Sequence, residues 1–176
     1  MIVWLTGLSG AGKTTVGELL YRKIKARFSA TVLLDGDVLR EVWADDLGHD
    51  IESRLLNAKR LSMLSRMLDL QGINVVACVL SISPLWRRWN RENLSDYYEI
   101  KLEPGMDILL ERDSKGLYAA AIRGEIDNVV GVDIPYPNDV THDLAFIGRE
   151  ALVPPDEIAR QIFEKIKDRL EADRGD

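Results

Sequence analysis

The eight residues 7–14, GLSGAGKT, constrain the fold of this chain more than any other segment. They match the pattern G-x-x-x-x-G-K-[ST], and they lie between the apolar run 2–5 and a stretch with helical spacing that begins at Lys13. Glycines let the backbone curl tightly enough for several N–H groups to converge on a phosphate chain. The segment therefore predicts a nucleoside-triphosphate site, in which Lys13 supplies positive charge and the Thr14 hydroxyl a ligand for Mg²⁺.

The helix behind this loop strengthens the prediction, because its N-terminus carries partial positive charge and free amide groups. The alternative is a glycine-rich surface turn that happens to precede a lysine, and it explains neither the strand before the loop nor the helix after it. We expect the phosphates of the nucleotide to contact Gly7, Ser9, Gly10, Ala11, Gly12, Lys13 and Thr14.

The composition is typical of a compact enzyme with a small-molecule substrate. At 176 residues and 46% hydrophobic content, the chain suits a single domain over residues 1–176 with a sizeable core. The net charge of −6 argues against a protein that coats nucleic acid polymers or anionic membranes. For the same reason we interpret the tryptophans and arginines of 86–91 as a solvated helix rather than a nucleic-acid surface.

We expect the chain to be cytoplasmic. Cys78 is its single cysteine, so no intramolecular disulfide forms, and its place in the apolar run 74–80 predicts a buried side chain. No apolar run approaches the ~20 residues that span a bilayer, and Met1 leads directly into a strand and the glycine-rich loop. We therefore expect no export or membrane signal.

Short apolar runs alternate with amphipathic stretches along the chain, which predicts an α/β fold with a parallel sheet and helices on both faces. The predicted strands are 2–6, 31–34, 74–80, 97–102 and 144–147. The predicted helices are 13–26, 36–45, 52–70, 87–94, 105–112 and 156–170.

Residues 113–138 depart from this alternation. They carry glycines and prolines among charged residues and show little periodicity after Ala121. Loops of this length commonly cover active sites, and phosphoryl transfer to an acceptor other than water requires that water be excluded. We therefore predict a mobile lid over 113–138, with a passive surface excursion as the alternative.

Two carboxylates follow the second predicted strand. Asp35 and Asp37 stand at the carboxyl edge of the sheet, where ligands of open α/β folds bind, and Gly36 between them permits a tight turn. A carboxylate there can hold Mg²⁺ through water or accept the proton of an attacking hydroxyl. The alternative is a turn followed by a helix cap.

Two further pairs of polar residues have helical spacing. Arg40 shares a helix face with Asp37, and Arg54 shares one with Asn57. Both pairs are candidates for gripping a polar substrate. For Arg54 and Asn57 the alternative is a solvated helix face.

The order and spacing of these motifs resemble the adenylylsulfate (APS) kinase family, whose members use MgATP to phosphorylate the 3'-hydroxyl of adenosine 5'-phosphosulfate and so give PAPS in sulfate activation. The resemblance covers most of the chain and implies a three-layer P-loop NTPase fold. It is carried by residues 4–15, Asp35-Gly36-Asp37 with Arg40, Leu47-Gly48, Arg54, Asn57, Ile82-Ser83-Pro84, residues 111–113, 115–118 and 124–126, and Gly131 with Asp133, Pro135 and Tyr136.

The resemblance also implies roles for individual residues. The catalytic group is Lys13, Asp35, Asp37, Ser83 and Lys115, with Thr14 and Asp35 serving Mg²⁺. Thr15 and Arg112 join the loop in binding ATP. The acceptor nucleotide is bound by Asp37, Arg40, His49, Arg54, Asn57, Ile82, Ser83, Lys115, Val129 and Val130.

Three of these roles have a physical rationale. Lys115 in the lid and Arg112 neutralise charge that spreads over the phosphoryl oxygens in the transition state. Some accounts of the family treat the serine that matches Ser83 as a phosphoserine intermediate. In-line transfer between two bound substrates needs no covalent step, so we interpret Ser83 as a substrate contact.

The chain departs from the family at the acceptor base. In APS kinases two phenylalanines stack on the acceptor adenine, whereas His49 and Val129-Val130 stand at those places here. Losing one such stacking contact forfeits ~1 to 3 kcal/mol. His49 either stacks or is an exposed loop histidine, and valine cannot stack. Ala119, Ala120 and Ala121 replace basic residues of the family lid, and Pro137 stands where the family often has Glu.

Three functions are compatible with these motifs and departures. The first choice is an APS kinase. The second is a kinase of the same chemistry that acts on another nucleotide with a small charged group, as do the cytidine diphosphoramidate kinases that resemble this family. The third is an ATP-binding regulatory or assembly partner without small-molecule kinase activity, against which the intact polar residues count. Family members are often dimers, so a homodimer is expected, although no interface can be read from the sequence.

Overall fold

A five-stranded parallel sheet forms the centre of the fold. The computed structural model of the chain describes residues 1–43, 47–137 and 141–172. The strands run in the order β2-β3-β1-β4-β5, and all neighbours are parallel. They are β1 (Ile2–Thr6), β2 (Thr31–Asp35), β3 (Asn74–Val79), β4 (Tyr97–Glu103) and β5 (Leu144–Ile147).

Helices lie in every crossover between these strands, as parallel pairing requires. They are α1 (Lys13–Lys25), α2 (Gly36–Val42), α3 (Ile51–Asp69), α4 (Pro84–Asn93), α5 (Met106–Glu111), α6 (Leu117–Ile122) and α7 (Pro155–Ala172). α1 and α7 pack together on one face of the sheet, and α3 and α4 pack on the other. The predicted three-layer α/β fold is confirmed.

The central strand explains why the core forms on both faces. Every residue of β1 is buried, because a central parallel strand is covered by helices on either side. Val3 and Leu5 join the core cluster that includes α1 and α7, whereas Ile2 and Trp4 join the cluster with Leu61 of α3. The alternation of side chains along a strand divides one short sequence between two cores.

The strand ends bring the polar motifs to one edge of the sheet. Asp35 of β2 is paired with Cys78 of β3, and Thr6 of β1 is paired with the next residue of β3, Val79. The glycine-rich loop leaves β1 at Thr6 and α2 leaves β2 at Asp35. The loop and the carboxylates therefore lie side by side at the carboxyl edge, where ligands of such sheets bind.

The predicted strand bounds agree with the structure to within one residue, and the predicted burial of Cys78 is confirmed at 3% exposure. α4 begins at Pro84 rather than Arg87, because Ser83 caps the helix and proline suits its first position. Residues 44 and 45 of the predicted second helix, and residue 138 of the predicted lid, lie outside the described residues.

Two short elements were not predicted. The predicted lid contains the helix α6, and a 3₁₀ helix spans Gly148–Leu152. Across the described parts of the chain, no helix combines the length and the apolar character needed to cross a bilayer.

Candidate active site

The glycine-rich loop has the backbone that the motif predicts. Gly10 and Gly12 adopt φ of 75° and 94°, the left-handed region that glycine tolerates best. A Cβ at Gly7 would lie 2.3 Å from the carbonyl oxygen of Leu102, so only glycine permits this approach of the loop to β4. The loop leads directly into α1 at Lys13, which gives it the helix N-terminus that favours phosphate.

Lys13 is held against this loop. Its ammonium donates a hydrogen bond of 2.8 Å to the carbonyl oxygen of Leu8. Burial lowers the pKa of Lys13, and the carboxylates of Asp37 and Asp35 oppose that shift. Their opposition favours the charged form that a phosphate group requires.

Asp35 connects the loop to the second strand. Its Oδ2 accepts a 2.7 Å hydrogen bond from the hydroxyl of Thr14, and its Oδ1 accepts one of 2.9 Å from the amide of Asp37. One carboxylate oxygen of Asp35 therefore caps α2, as the alternative interpretation predicts, and the other faces the glycine-rich loop. The Thr14 hydroxyl and a carboxylate oxygen are the hard ligands that Mg²⁺ prefers, so the residues present fit this ion.

Asp37 stands among the cations of the site. It is exposed in the first turn of α2, and its charge opposes the lowering of the pKa of Lys13, Arg40 and Arg54. The same carboxylate acts on the pKa of His49. One anion thus reaches both the loop lysine and the arginines expected to bind the acceptor.

A cavity of about 250 Å³ opens beside the glycine-rich loop. Arg112 and Lys115, both exposed, line it together with Ser9 and Gly10 of the loop. Tyr118 of α6 closes its wall and donates a 2.8 Å hydrogen bond to the carbonyl oxygen of Ser9. Lys115 of the predicted lid and Arg112, directly before the lid, therefore lie next to the loop expected to hold the phosphates.

The acceptor-side arginines bind backbone carbonyl oxygens. Arg40 donates a 2.7 Å hydrogen bond to Gly48. Arg54 donates one of 2.7 Å to His49 and one of 2.8 Å to Asn128. The solvated-face alternative does not describe Arg54, because its guanidinium connects two separate segments.

His49 precedes Arg54 in the sequence, and Asn57 follows it by one helical turn. His49 is exposed, and its pKa is lowered first by partial desolvation and then by the cations of Arg40 and Arg54, which favour the neutral ring. Asn57 is 6% exposed, and its Oδ1 has no hydrogen-bond partner among the described residues. A buried amide oxygen without a partner is available to a ligand.

The two valines expected at the acceptor site are both buried. Val129 is 4% exposed and packs in the core cluster that includes α1 and α7. Val130 packs with Ile82 and Ile134 in a separate cluster. Neither valine side chain offers a flat ring on which a base stacks.

Ser83 is likewise not exposed for chemistry. Its side chain is 1% exposed, and its Oγ accepts a 3.3 Å hydrogen bond from the amide of Trp86 at the start of α4. The hydroxyl serves as a helix cap, and its role toward the substrate stays a prediction.

The sequence did not predict the hydrogen bonds by which Tyr118, Asp133 and Tyr136 hold the lid. It also did not predict the hydrogen bond of Cys78 beneath the loop. The Tyr136 hydroxyl lies 2.8 Å from Oγ1 of Thr6, directly before the loop. Tyr118, Asp133 and Tyr136 stand in the motifs that carry the resemblance, and that was the signal that could have found them. The Cys78 thiol donates to the carbonyl oxygen of Lys13 at 3.3 Å, and burial raises the pKa of Cys78 to about 12.

Comparisons with known proteins agree with this geometry. The family model described as adenylylsulphate kinase matches residues 1–146. The cytidine diphosphoramidate kinase of Campylobacter jejuni is 44% identical over 138 residues, which cover 77% of this chain and 79% of that protein. The adenylyl-sulfate kinase of Paraburkholderia xenovorans is 38% identical over 144 residues, which cover 81% of this chain and 80% of that protein.

A solved structure shares the whole architecture. The APS kinase of Mycobacterium tuberculosis, in complex with AMPPNP and APS, superposes with a TM-score of 0.84 at 32% identity. The match covers 94% of this chain and 96% of that chain.

Proposed function

Because the chain belongs to the adenylylsulphate kinase family, we propose that it transfers the γ-phosphoryl group of ATP to a ribose hydroxyl of a cytidine nucleotide of the cytidine diphosphoramidate type. The family consists of phosphotransferases that act on a hydroxyl group and use ATP with Mg²⁺. The reaction class is therefore common to all its members, and the proposal concerns the acceptor.

The burial of Val129 carries this proposal. The family resemblance requires an aromatic ring from the lid on one face of the acceptor adenine, and the side chain in that place faces the core. His49 remains as one stacking surface. Because stacking is worth ~1 to 3 kcal/mol per contact, a site with one stacking face forfeits part of the free energy that holds an adenine, and we infer that the acceptor carries another base.

Similarity to known proteins supports the same choice. The cytidine diphosphoramidate kinase is 44% identical to this chain, against 38% for the adenylyl-sulfate kinase of Paraburkholderia xenovorans. The acceptor favoured by the sequence alone, APS itself, becomes the second candidate. It is favoured by the retention of Arg40, Arg54 and Asn57 at the acceptor side.

The residues of the chain divide the chemistry between them in our proposal. Lys13 and the loop amides hold the phosphates of ATP, and Asp35 with Thr14 holds Mg²⁺, which when bound neutralises charge on the β- and γ-phosphoryl oxygens. Asp37 accepts the proton of the acceptor hydroxyl, because its exposed carboxylate stands between Lys13 and the acceptor-side arginines.

The lid completes the site. Arg112 and Lys115 line the cavity beside Ser9 and Gly10, where they neutralise charge on the transferred group. The lid segment also excludes water, which would otherwise compete with the acceptor hydroxyl. The non-enzymatic alternative is not retained, because the chain belongs to a family of kinases.

The test is ADP release from MgATP with cytidine diphosphoramidate and APS offered separately, and with the position of the new phosphate determined by NMR. Lys13→Ala is the control for contaminating kinases, since loss of the ammonium removes transfer. Faster turnover of the cytidine compound, measured as kcat/KM, supports the proposal. Faster turnover of APS makes the second candidate the function, and turnover of neither refutes both.

A further inference from the structure

Two segments of the chain converge on one arginine at the acceptor side. We call residues 47–50 the acceptor loop and residues 128–133 the lid turn. Arg54, in the first turns of α3, donates through Nε to the carbonyl oxygen of His49 at 2.7 Å and through Nη2 to that of Asn128 at 2.8 Å. The two carbonyl groups belong to parts of the chain that are far apart in sequence, next to the positions that the family resemblance assigns to the acceptor base.

The acceptor loop is fixed by several hydrogen bonds besides that of Arg54. Arg40 donates to the carbonyl oxygen of Gly48 at 2.7 Å. Asp50 caps α3 by accepting from the amide of Ser53 at 2.9 Å, and the Ser53 hydroxyl accepts from the amide of Gly48 at 3.1 Å. The backbone that presents His49 is therefore held in place before a base stacks on it.

The lid turn is held in an unusual backbone conformation. Asn128 has φ of 68°, which no other non-glycine residue shows among those the structure describes. The carboxylate of Asp133 accepts 2.6 Å hydrogen bonds from the amides of Asn128 and Val129, and these bonds lower the pKa of Asp133. A left-handed asparagine costs free energy and persists where its surroundings impose it.

The lid turn also touches the phosphate-binding loop. A Cβ at Gly131 would lie 3.1 Å from Leu8, so the turn packs closely on the glycine-rich loop. Val130 packs in a cluster with Ile82 and Ile134, to which Leu8 adds a partly buried side chain. The lid turn therefore packs against the side chain of Leu8.

We propose that Arg54 is a positioning residue that fastens the acceptor loop to the lid turn, with Asp133 as its counterpart within the turn, so that the two segments that the family resemblance assigns to the acceptor base move as one unit. The proposal rests on the proposed function for the identity of the acceptor, but not for the fastening itself. A guanidinium is suited to this task, because its planar array of donors reaches two carbonyl oxygens at once and an ammonium does not.

The first experiment measures hydrogen exchange of the full chain without substrates. Arg54→Lys keeps the positive charge but cannot donate to both carbonyl oxygens at once. We expect the amides of both the acceptor loop and the lid turn to exchange at least about fivefold faster. Arg66→Lys is the matched control, since it lies on the same helix and pairs with Asp69 away from the site. Unchanged exchange in Arg54→Lys overturns the proposal.

The second experiment separates fastening from direct binding of the acceptor. Asp133→Ala removes two of the hydrogen bonds that hold the lid turn while it leaves Arg54 and its charge in place. We expect the KM for cytidine diphosphoramidate to rise about fivefold or more, and the KM for ATP to change less than twofold. Faster exchange of the lid turn with an unchanged acceptor KM overturns the proposal.

The two experiments also distinguish this inference from the proposed function. Hydrogen exchange requires no acceptor, so it tests the fastening even if the cytidine compound is not phosphorylated. If APS proves to be the acceptor, the KM comparison is made with APS. A rise in acceptor KM in Asp133→Ala without any change in hydrogen exchange shows that Asp133 acts on the substrate directly and contradicts the fastening.

Discussion

At the scale of single residues, Asp35 performs two tasks with one carboxylate. Its Oδ1 caps α2 and its Oδ2 accepts from Thr14. An amide retains an oxygen for the cap, because asparagine caps helices about as well as aspartate. The substitution removes the charge and the oxygen that accepts from Thr14, so the two tasks can be separated by mutation.

We therefore expect Asp35→Asn to lower kcat by about 10²- to 10³-fold with little change in stability, because the variant keeps the cap and loses the charge proposed to serve Mg²⁺. Steady-state kinetics and urea unfolding measure the two effects. Asp156→Asn, in the first turn of α7, is the control for a change of one surface carboxylate. Unchanged turnover in Asp35→Asn would place the metal elsewhere.

His49 allows a second prediction at this scale. In His49→Ala the remaining stacking surface is lost, and we expect the acceptor KM to rise about fivefold to 150-fold, which corresponds to ~1 to 3 kcal/mol, while the KM for ATP stays within twofold. His49→Phe should retain or improve acceptor binding, because it supplies a ring. Equal KM values for the alanine variant and the original chain would show that His49 is an exposed loop residue without a role.

At the scale of elements, the short helix α6 ties the lid to the phosphate-binding loop. Tyr118 is 2% exposed and donates to the carbonyl oxygen of Ser9 at 2.8 Å. The helix starts behind Gly116, whose φ is 67°, and Asp113 accepts from the amides of Leu117 and Ala119. A movement of α6 therefore displaces the backbone that is expected to contact the phosphates.

Tyr118→Phe should raise the KM for ATP about threefold to tenfold with the acceptor KM nearly constant, because one neutral hydrogen bond between α6 and the loop is worth about 1 kcal/mol. Tyr98→Phe is the matched control, since Tyr98 stacks with Arg169 away from the cavity. If both variants bind ATP equally well, α6 does not position the loop.

The elements also show how far the sequence alone can go. All five strands and the glycine-rich loop were predicted, because apolar runs and the spacing of a phosphate-binding motif are local signals. α6 was missed because a segment of six residues between two glycines is too short to show a helical periodicity. The start of α4 could have been found from Ser83-Pro84, a capping pattern that is local as well.

The acceptor side was less predictable for a different reason. The burial of Val129 depends on packing against residues distant in sequence, and the hydrogen bond from Arg54 to Asn128 joins residues 74 positions apart. Periodicity carries no information on such contacts. The site roles that the resemblance implies stay predictions until turnover and KM are measured in the variants.

At the scale of the whole molecule, a buried polar cluster between α4 and β4 links stability to pH. The guanidinium of Arg87 pairs with Glu99, and Arg87 Nη2 lies 2.6 Å from Nε2 of His142. Because arginine only donates, Nε2 must accept and the ring must be neutral. Burial, followed by the charge of Arg87, lowers the pKa of His142 to about 4.

This pKa gives a stability prediction with a defined sign. The unfolded chain binds a proton at His142 near pH 6.5 and the folded chain only near pH 4, so protonation stabilises the unfolded state relative to the folded state as the pH falls between these values. We expect the free energy of unfolding to drop by about 1 to 3 kcal/mol from pH 6.5 to pH 4 on account of this group. Urea unfolding of His142→Gln, which keeps an acceptor and does not titrate, should show a shallower decline.

The quaternary structure belongs to this scale too. The homodimer expected from the family resemblance stays a prediction, and light scattering of the full chain over a range of concentrations measures it. A mass near that of one chain, 19.9 kDa, at every concentration would contradict it.

The reactivity of the single cysteine can report on the opening of the nucleotide site. Cys78 lies under the first turn of α1, and a Cβ at Gly17 would be only 2.1 Å from its Sγ, so nothing separates the thiol from the helix that follows the phosphate loop. An alkylating reagent can reach this sulfur only when α1 lifts from the sheet. The rate of alkylation therefore reports how often α1 separates from the sheet next to the nucleotide site. MgATP should slow alkylation in proportion to the fraction of the protein that has MgATP bound.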